Sequence, residues 1–241
     1  MDNADQVLLF VEPQSGVWQS VDHVPFDQWA EEKAAAATDS ATAAPAALSP
    51  AKRALDLLCA AIALLFLFPP LLIVALIVRT TSAGPVLFRQ VRTGYNGRPF
   101  ELLKFRTMYV SENDSLRHTT RSDPRVTPVG AFLRASSIDE LPQLLNVLKG
   151  DMSLVGPRPH ALAHDSHYSQ LVQDYPKRFA VRPGLTGLAQ VRGFRGEIYD
   201  ISCMERRVEA DCEYIDQWSL MRDIHIIAQT VPLILRDPNA Y

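Results

Sequence analysis

The longest apolar run in the chain is ALDLLCAAIALLFLFPPLLIVALIV, residues 54–78, in which the 22 positions from Leu57 to Val78 carry no formal charge. A run of that length reads as a membrane segment. Two features argue against a plain spanning helix. Pro69 and Pro70 fall near its middle, where their rings remove backbone donors and push Phe68 away from helical geometry. Lys52 and Arg53 precede the run and Arg79 follows it, so flanking charge gives no preferred direction. A helix that enters, breaks at the prolines and returns to the same face fits both features. A kinked helix that spans fully fits them equally, since transmembrane helices tolerate proline. In the re-entrant case the first arm, Leu57 to Phe68, rises about 18 Å, roughly half a bilayer core. Asp56 stands one turn after Arg53, in place to pair with it at headgroup level.

Beyond this run the pattern changes period. VLFRQVR and PFELLKFRTM read as strands, and the Asn96-Gly97 pair between them signals a hairpin. Alternation puts Lys104 and Arg106 on one face of the second strand, about 7 Å apart. Two such cations could grip a diphosphate, although a solvent-exposed cationic face is the plainer reading. Residues 140–149 predict a helix with Leu141, Leu144, Leu145 and Leu148 on one side, stopped by Gly150. VGPRP (155–159) and VRPGLTGLAQVRG (181–193) read as structured loops from their Gly and Pro content. Ser202 to Gln217 predicts a helix with Ser202-x-x-Glu205 as capping box and Met204, Val208, Cys212 and Ile215 inward. Leu220 to Leu235 suits a helix on the membrane surface or, equally, a buried core helix.

Composition refines this outline. Residues 1–33 show no sustained period, and AAAATDSATAAPAALSP (34–50) reads as a disordered or loosely helical linker. Residues 1–48 carry eight acidic residues and one basic, whereas residues 79–134 carry ten basic and four acidic. The basic stretch suits an anionic partner. It lacks the aromatic interleaving of a nucleic-acid interface, and the adjoining apolar run makes lipid phosphate the better match. Cys59, Cys203 and Cys212 are too few and scattered for a disulfide framework or zinc site. They fit a reducing compartment, and the N-terminus lacks the pattern of an export signal.

The chemistry concentrates in SSIDELPQLLNVLKG, residues 136–150. Ser137-x-x-Glu140 matches a capping box, but that register puts Pro142 where a helix needs a donor. With Asp139 as the cap, Pro142 falls on a position whose N–H is orphaned anyway, and Glu140 has no capping duty. Neighbours on a helix point about 100° apart, so one carboxylate could attack phosphorus while the other binds magnesium. A cap with a charged neighbour is the plain alternative. His160, His164 and His167, spaced i, i+4, i+7, would align on a helix face as a transition-metal site or as a wetted surface.

From residue 52 onward the chain resembles the bacterial sugar transferases, the monotopic phosphoglycosyl transferases. The similarity lies in KRALD, the proline-interrupted helix, GPVLFRQVRTGYNGRPFELLKFRTM, LRASSIDELPQLLNVLKGDMSLVGPRP, VRPGLTGLAQVRG, and the ending from DCEYIDQWSLMRDIHII to NAY. The resemblance implies an α+β, mainly helical, monotopic fold with a small hairpin and interfacial helices. It implies a tail and linker over 1–50, a re-entrant helix over 51–79 turning at Pro69-Pro70, and a catalytic domain over 80–241. That domain would sit on the cytoplasmic face of the bacterial inner membrane, with both chain ends cytoplasmic. The implied activity is two-step: Asp139 takes a phosphosugar from a UDP-sugar, releasing UMP, and passes it to a polyprenyl phosphate, the first membrane step of exopolysaccharide or O-antigen repeat-unit synthesis. Glu140 would bind Mg²⁺. Arg134 and Arg158 would clamp phosphate or nucleotide, with Lys104, Arg106 and Arg182 in the same role. The implied partners are thus the UDP-sugar, the polyprenyl phosphate and membrane lipid, with a homodimer left open. An idle membrane-anchored scaffold is the alternative, and the intact Asp139-Glu140 pair weighs against it. The resemblance says nothing of the acidic tail, and the hexose cannot be read from the residues.

Overall fold

The computed structural model describes residues 6–11, 19–25, 44–109, 123–196 and 198–236. Within the segment expected to be structureless, Gln6–Val11 (β1) and Gln19–Pro25 (β2) pair as an antiparallel ladder. The first part of the expected linker, residues 34–43, lies outside the described residues. Its end is ordered: Pro45–Leu48 forms a short helix, α1, and Ala44 and Ala46 are buried against Val155, Val181, Tyr214 and Ile226. Small methyl side chains let this backbone approach the core closely, which composition alone disguised as low complexity.

The apolar run forms one helix, α2, from Pro50 to Thr81, continuous through Pro69 and Pro70. The expected break is therefore not a break in secondary structure. Transmembrane helices tolerate proline, and here helical geometry persists through both residues. Ser49 Oγ caps the N-terminus by accepting from Lys52 N at 3.2 Å. One stripe of α2 packs inward along its whole length. Ala60, Ala63, Leu64 and Leu67 meet Leu102, Leu144, Val147 and Met152. Leu71, Val74, Ala75 and Val78 meet Phe105, Leu133, Val129 and Ile138. The opposite stripe is bare, with Leu65 and Phe66 about 75% exposed beside the prolines and Leu72, Ile73 and Leu76 following.

Polar anchors fix the two ends of α2 to the same body. At the start, Lys52 Nζ donates to Asp223 Oδ2 at 2.8 Å and to the Val155 carbonyl at 3.0 Å. Asp223 also accepts from the Tyr214 hydroxyl at 2.8 Å and from Trp218 Nε1 at 3.1 Å. Asp56 does not pair with Arg53. It accepts from Ser153 Oγ and from the backbone N–H of Leu154, while Arg53 donates to the carbonyls of Val147 and Leu148. At the far end, Arg106 donates to the carbonyls of Val78 and Ser82.

Leu87–Thr93 (β3) and Pro99–Phe105 (β4) form the expected antiparallel hairpin, with Thr93 opposite Pro99. Asn96 and Gly97 supply the positive φ of its turn. Pro128–Ala135 is α3, and a 3₁₀ turn over Ile138–Glu140 leads to α4, Gln143–Lys149. Gly150, at φ 98°, stops α4 as expected. The buried face of α4 is Gln143, Leu144, Asn146 and Val147; of the expected leucine stripe Leu144 is buried and Leu148 packs against the core, whereas Leu145 points out. Asn146 explains the rotation, since its side chain accepts from Leu103 N and donates to the Glu101 carbonyl, which pins α4 to β4.

The two segments read as loops contain a short parallel pair, Ser153–Val155 (β5) with Gly184–Thr186 (β6). Gly184 permits it: a Cβ there would stand 2.1 Å from Gly156 N. Leu162–Leu171 (α5), Leu188–Val191 (α6) and Ile201–Asp216 (α7) follow. Helix α7 starts earlier than the capping box predicted, because Asp200 takes the cap by accepting from Cys203 N at 3.0 Å. Helix α8, Leu220–Arg236, has one buried and one exposed face. Asp223 and Ile226 are buried, while Met221, Ile224 and Val231 form an exposed apolar stripe. Residues 237–241, with the NAY ending, lie outside the described residues.

The Lys52–Asp223 pair is nearly sealed, at 6% and 1% side-chain exposure. Lys52→Ala leaves a buried carboxylate short of its counter-ion and should cost about 3–5 kcal/mol, whereas Lys52→Met with Asp223→Leu should recover only part of that, because it also takes the acceptor from Tyr214 and Trp218. Unfolding of nanodisc-embedded protein by denaturant checks both.

Candidate active site

The site is assembled from three elements brought together by packing. Strand β4 delivers Lys104 near its end, the last turn of α3 delivers Arg134, and the loop after β5 delivers Arg158. Between them lies the turn carrying Asp139 and Glu140. Ser137 adopts a left-handed conformation, φ 55° and ψ 15°, which reverses the chain after α3 and begins the 3₁₀ turn. Neither expected cap forms. Glu140 N donates to the Ser137 backbone carbonyl, no side chain caps the turn, and α4 begins only at Gln143. Pro142 stands just before α4, where no donor is required of it. Both carboxylates are therefore free of capping duty.

Their environments differ. Glu140 Oε1 accepts from Lys104 Nζ at 2.8 Å, and Arg158 forks onto both its oxygens, with Nη1–Oε2 at 3.0 Å. Burial pushes its carboxyl upward, but Arg158 and Lys104 outweigh burial and hold it well below the usual carboxylate range. Asp139 is only 6% exposed. Among the described residues no hydrogen bond or ion pair reaches its carboxylate. Burial pushes it up to about 6; Lys104 opposes the shift, the charge of Glu140 adds to it, and Arg134 and Arg158 pull it down. The pair thus comprises one carboxylate locked in its charged form and one poised near neutrality without a partner.

The clamps are themselves positioned. Arg134 Nε donates to Thr107 Oγ1 at 2.9 Å. The loop bearing Arg158 is held on one side by Gly156 N donating to the Thr186 carbonyl. On the other side, buried Arg178 donates through Nη2 to the Arg158 carbonyl at 2.6 Å and through Nε to Asp211 at 2.8 Å. Neither Thr107 nor Arg178 carries any signal in spacing or composition; both become visible only once distant segments meet.

Arg106 and Arg182 stand apart from this cluster. Arg106 serves the carbonyl end of α2, and Arg182 Nε donates to the Gly150 carbonyl at the end of α4 while its guanidinium lies 5.7 Å from the Tyr95 ring centre. Each complements the negative end of a helix. The three histidines do not share a helix face, because His160 precedes α5. His160 Nδ1 lies 2.8 Å from the Tyr175 hydroxyl and 3.1 Å from Arg178. Burial, reinforced by Arg178, holds its imidazole well below the usual value, so it is neutral.

As a metal site the pair is incomplete on its own. No group of three or more potential ligands gathers among the described residues. Glu140 Oε2 accepts one hydrogen bond, which leaves a lone pair. A single carboxylate plus ligand phosphates is a normal holding for Mg²⁺, so the residues fit an ion that arrives with its substrate.

A cavity of about 220 Å³ opens beside the pair. Arg134, Ser137 and Arg158 line it together with Phe194, Arg195 and Arg207, and Arg178 and Asp211 also contribute.

Residues 47–237 match the model of a family described as bacterial sugar transferase. The chain is 54% identical over 191 residues to the UDP-glucose:undecaprenyl-phosphate glucose-1-phosphate transferase of Caulobacter vibrioides, covering 79% of this chain and 72% of that protein. It is 52% identical over 181 residues to the protein of the same name from Escherichia coli, covering 75% of this chain but only 39% of that longer relative. It is 46% identical over 185 residues to the exopolysaccharide production protein PSS of Rhizobium leguminosarum, covering 75% of this chain and 92% of that one.

Glu140→Gln removes the charge that pushes Asp139 up and releases Lys104 toward it. Both changes act in one direction, so the Asp139 carboxyl should titrate clearly below about 6. Carbon-13 NMR of aspartate-labelled protein across pH 4–8 reads the shift.

Proposed function

The chain belongs to the bacterial sugar transferase family, and from that premise we propose that it transfers a hexose-1-phosphate from a UDP-sugar to a polyprenyl phosphate at the membrane surface. The observation that carries the reading is a buried carboxylate, without a hydrogen bond among the described residues, beside a carboxylate fixed by two cations. The relatives act with UDP-glucose and undecaprenyl phosphate by name, which makes these the first donor and acceptor to try.

In the proposed mechanism an oxygen of ionised Asp139 attacks the β-phosphorus. The Asp139–phosphorus bond forms, the bridging oxygen leaves with the α-phosphate as UMP, and an aspartyl phosphosugar remains. The acceptor's phosphate oxygen then attacks the same phosphorus and displaces Asp139, giving a polyprenyl-diphosphate sugar. Low solvation, with no hydrogen bond to its carboxylate among the described residues, keeps Asp139 reactive once ionised. Arg134 and Arg158 offset charge on the phosphoryl oxygens, Arg158 with bidentate geometry. Lys104 keeps Glu140 oriented. Mg²⁺, held by Glu140 together with the diphosphate, would supply charge neutralisation.

The membrane arrangement follows from α2. At about 1.5 Å per residue its 32 residues exceed a ~30 Å hydrocarbon core. Yet Lys52 and Arg53 at one end and the Val78–Ser82 carbonyls at the other bind a single folded body. A helix with its ends in opposite aqueous phases cannot do that. We therefore read α2 as dipping into one leaflet and leaving by the same face, with Pro69 and Pro70 deepest among the bare Leu65, Phe66, Leu72 and Ile73. The exposed stripe of α8 rests on the same surface. Such a protein meets a lipid phosphate at headgroup height, on the cytoplasmic side where UDP-sugars occur.

Asp139→Asn should abolish transfer while unfolding no sooner than wild type, since it removes a buried unpaired charge. UMP release from a panel of UDP-sugars, with intact-mass detection of a phosphosugar adduct, tests the mechanism; an active Asp139→Asn enzyme would end it. Because Asp139 must be ionised, adduct formation should fall about tenfold per pH unit below about 6.

A further inference from the structure

Four successive residues at the end of β4 divide their side chains between the site and its frame. Lys104 donates to Glu140 at 2.8 Å. Phe105 is buried with Val78 of α2 and Leu133 of α3. Arg106 donates to carbonyls at the end of α2. Thr107, only 7% exposed, turns its hydroxyl to Arg134, whose Nε donates to it at 2.9 Å. The first three contacts hold the fold or orient Glu140. The fourth reaches a guanidinium that the mechanism places on the phosphoryl oxygens.

Thr107 also seats the helix that carries Arg134. Its carbonyl accepts from Thr127 N at 3.0 Å, and Thr127 Oγ1 caps α3 by accepting from Gly130 N at 2.8 Å. Gly130 lets the two backbones close up, since a Cβ there would stand 2.0 Å from the Thr107 carbonyl oxygen. Arg134 follows Gly130 by four positions, so both lie on one face of α3, and helical side chains lean toward the N-terminus. Thr107 therefore meets α3 twice, through its carbonyl at the first turn and through its hydroxyl beneath the last. Arg134 is among the charges that draw the Asp139 carboxyl down, so its guanidinium acts on the nucleophile. A guanidinium is planar, and a hydrogen bond at Nε fixes both its plane and the direction in which its terminal amino groups donate. We propose that Thr107 is a positioning residue for the transfer: it seats α3 and aims Arg134 at the phosphoryl group that Asp139 attacks. This inference rests on the transferase reading above and adds to it the residue that orients one of its clamps.

A double-mutant cycle tests it, with the full chain in nanodiscs and the UDP-sugar of the panel above that releases most UMP. Thr107→Val keeps the branched shape and the backbone contacts but removes the hydroxyl. The rate of adduct formation at saturating UDP-sugar should fall about tenfold or more, while the KM stays within about threefold, because the charge remains and only its aim is lost. Thr107→Ser, which keeps the acceptor, should return the rate to within about threefold of wild type. Arg134→Met is slow by itself and leaves nothing to aim, so adding Thr107→Val to it should change the residual rate by less than about twofold. A loss of folding would instead slow both backgrounds alike, and thermal unfolding of each variant reads it directly. Thr107→Val at the wild-type rate, or an equal loss with and without the Arg134 side chain, overturns the positioning role and leaves the transfer reaction standing. A wild-type enzyme that releases no UMP from any UDP-sugar overturns the transferase reading and this inference with it.

Discussion

Everything at the site depends on how the charge of Glu140 is held. Its carboxylate joins Lys104 of β4 to Arg158 of the loop after β5, and so fastens the Asp139–Glu140 turn between two otherwise separate parts of the fold. An unpaired charge so little exposed would cost several kcal/mol, but two cations with good geometry offset that cost. Two vicinal carboxylates would ordinarily compete for those cations. Glu140 takes both and is held far down, while burial, aided by the charge of Glu140, pushes Asp139 up to about 6 despite the pull of Lys104 and the arginines. Such a divergence between neighbouring groups is the usual sign of divided roles.

The same economy of contacts fixes the site's height relative to α2. Asn146 locks α4 to β4, the α2 stripe packs on α4, and Arg53 reaches the carbonyls at the end of α4. At the other end Arg106 ties α2 to the residue run that follows β4. The turn bearing Asp139 lies between α3 and α4, both of which touch α2, so the nucleophile cannot move independently of the apolar helix. Arg106 and Arg182 belong to this frame. They stabilise by meeting helix carbonyls, which is why two cations that resemble phosphate ligands in one dimension turn away from the carboxylates in three.

Period and turn chemistry made the hairpin, the Gly150 stop, α7 and the inward face of α7 legible, because each depends on residues within a few positions of one another. The features that escaped depend on partners far along the chain. The inward face of α4 kept Leu144 but turned Leu145 out in favour of a polar residue, Asn146, whose partners are more than 40 positions away. Asp56 abandoned its local mate for Ser153 and Leu154, nearly 100 positions on. Alanine-rich residues 44–46 entered the core because their smallness, not their hydrophobicity, suited the space beside Tyr214. At the site the carboxylate pair and Arg158 stood out in sequence. What escaped was their support: Thr107 behind Arg134, and Arg178 with Asp211 behind Arg158.

Arg158 serves two places, and this gives the site a directional logic. It forks onto Glu140, and it also lines the cavity bounded by Arg134 and Ser137. Its guanidinium has a fixed number of donors in one plane, so a phosphate arriving in the cavity draws on donors that Glu140 now uses. Each donor withdrawn leaves an oxygen of Glu140 with a lone pair and an uncompensated charge, the condition under which a divalent cation binds best. Donor arrival would therefore raise the affinity of Glu140 for the ion that travels with the diphosphate, and the empty site would keep its charges satisfied internally. The buried carboxylate of Asp139 fits the same scheme. Above about pH 6 its ionised form weakens the folded state, because its folded value lies above that of an exposed aspartate, and the penalty fades as pH falls toward the latter. A phosphorus electrophile relieves that penalty by taking the charge into a covalent bond.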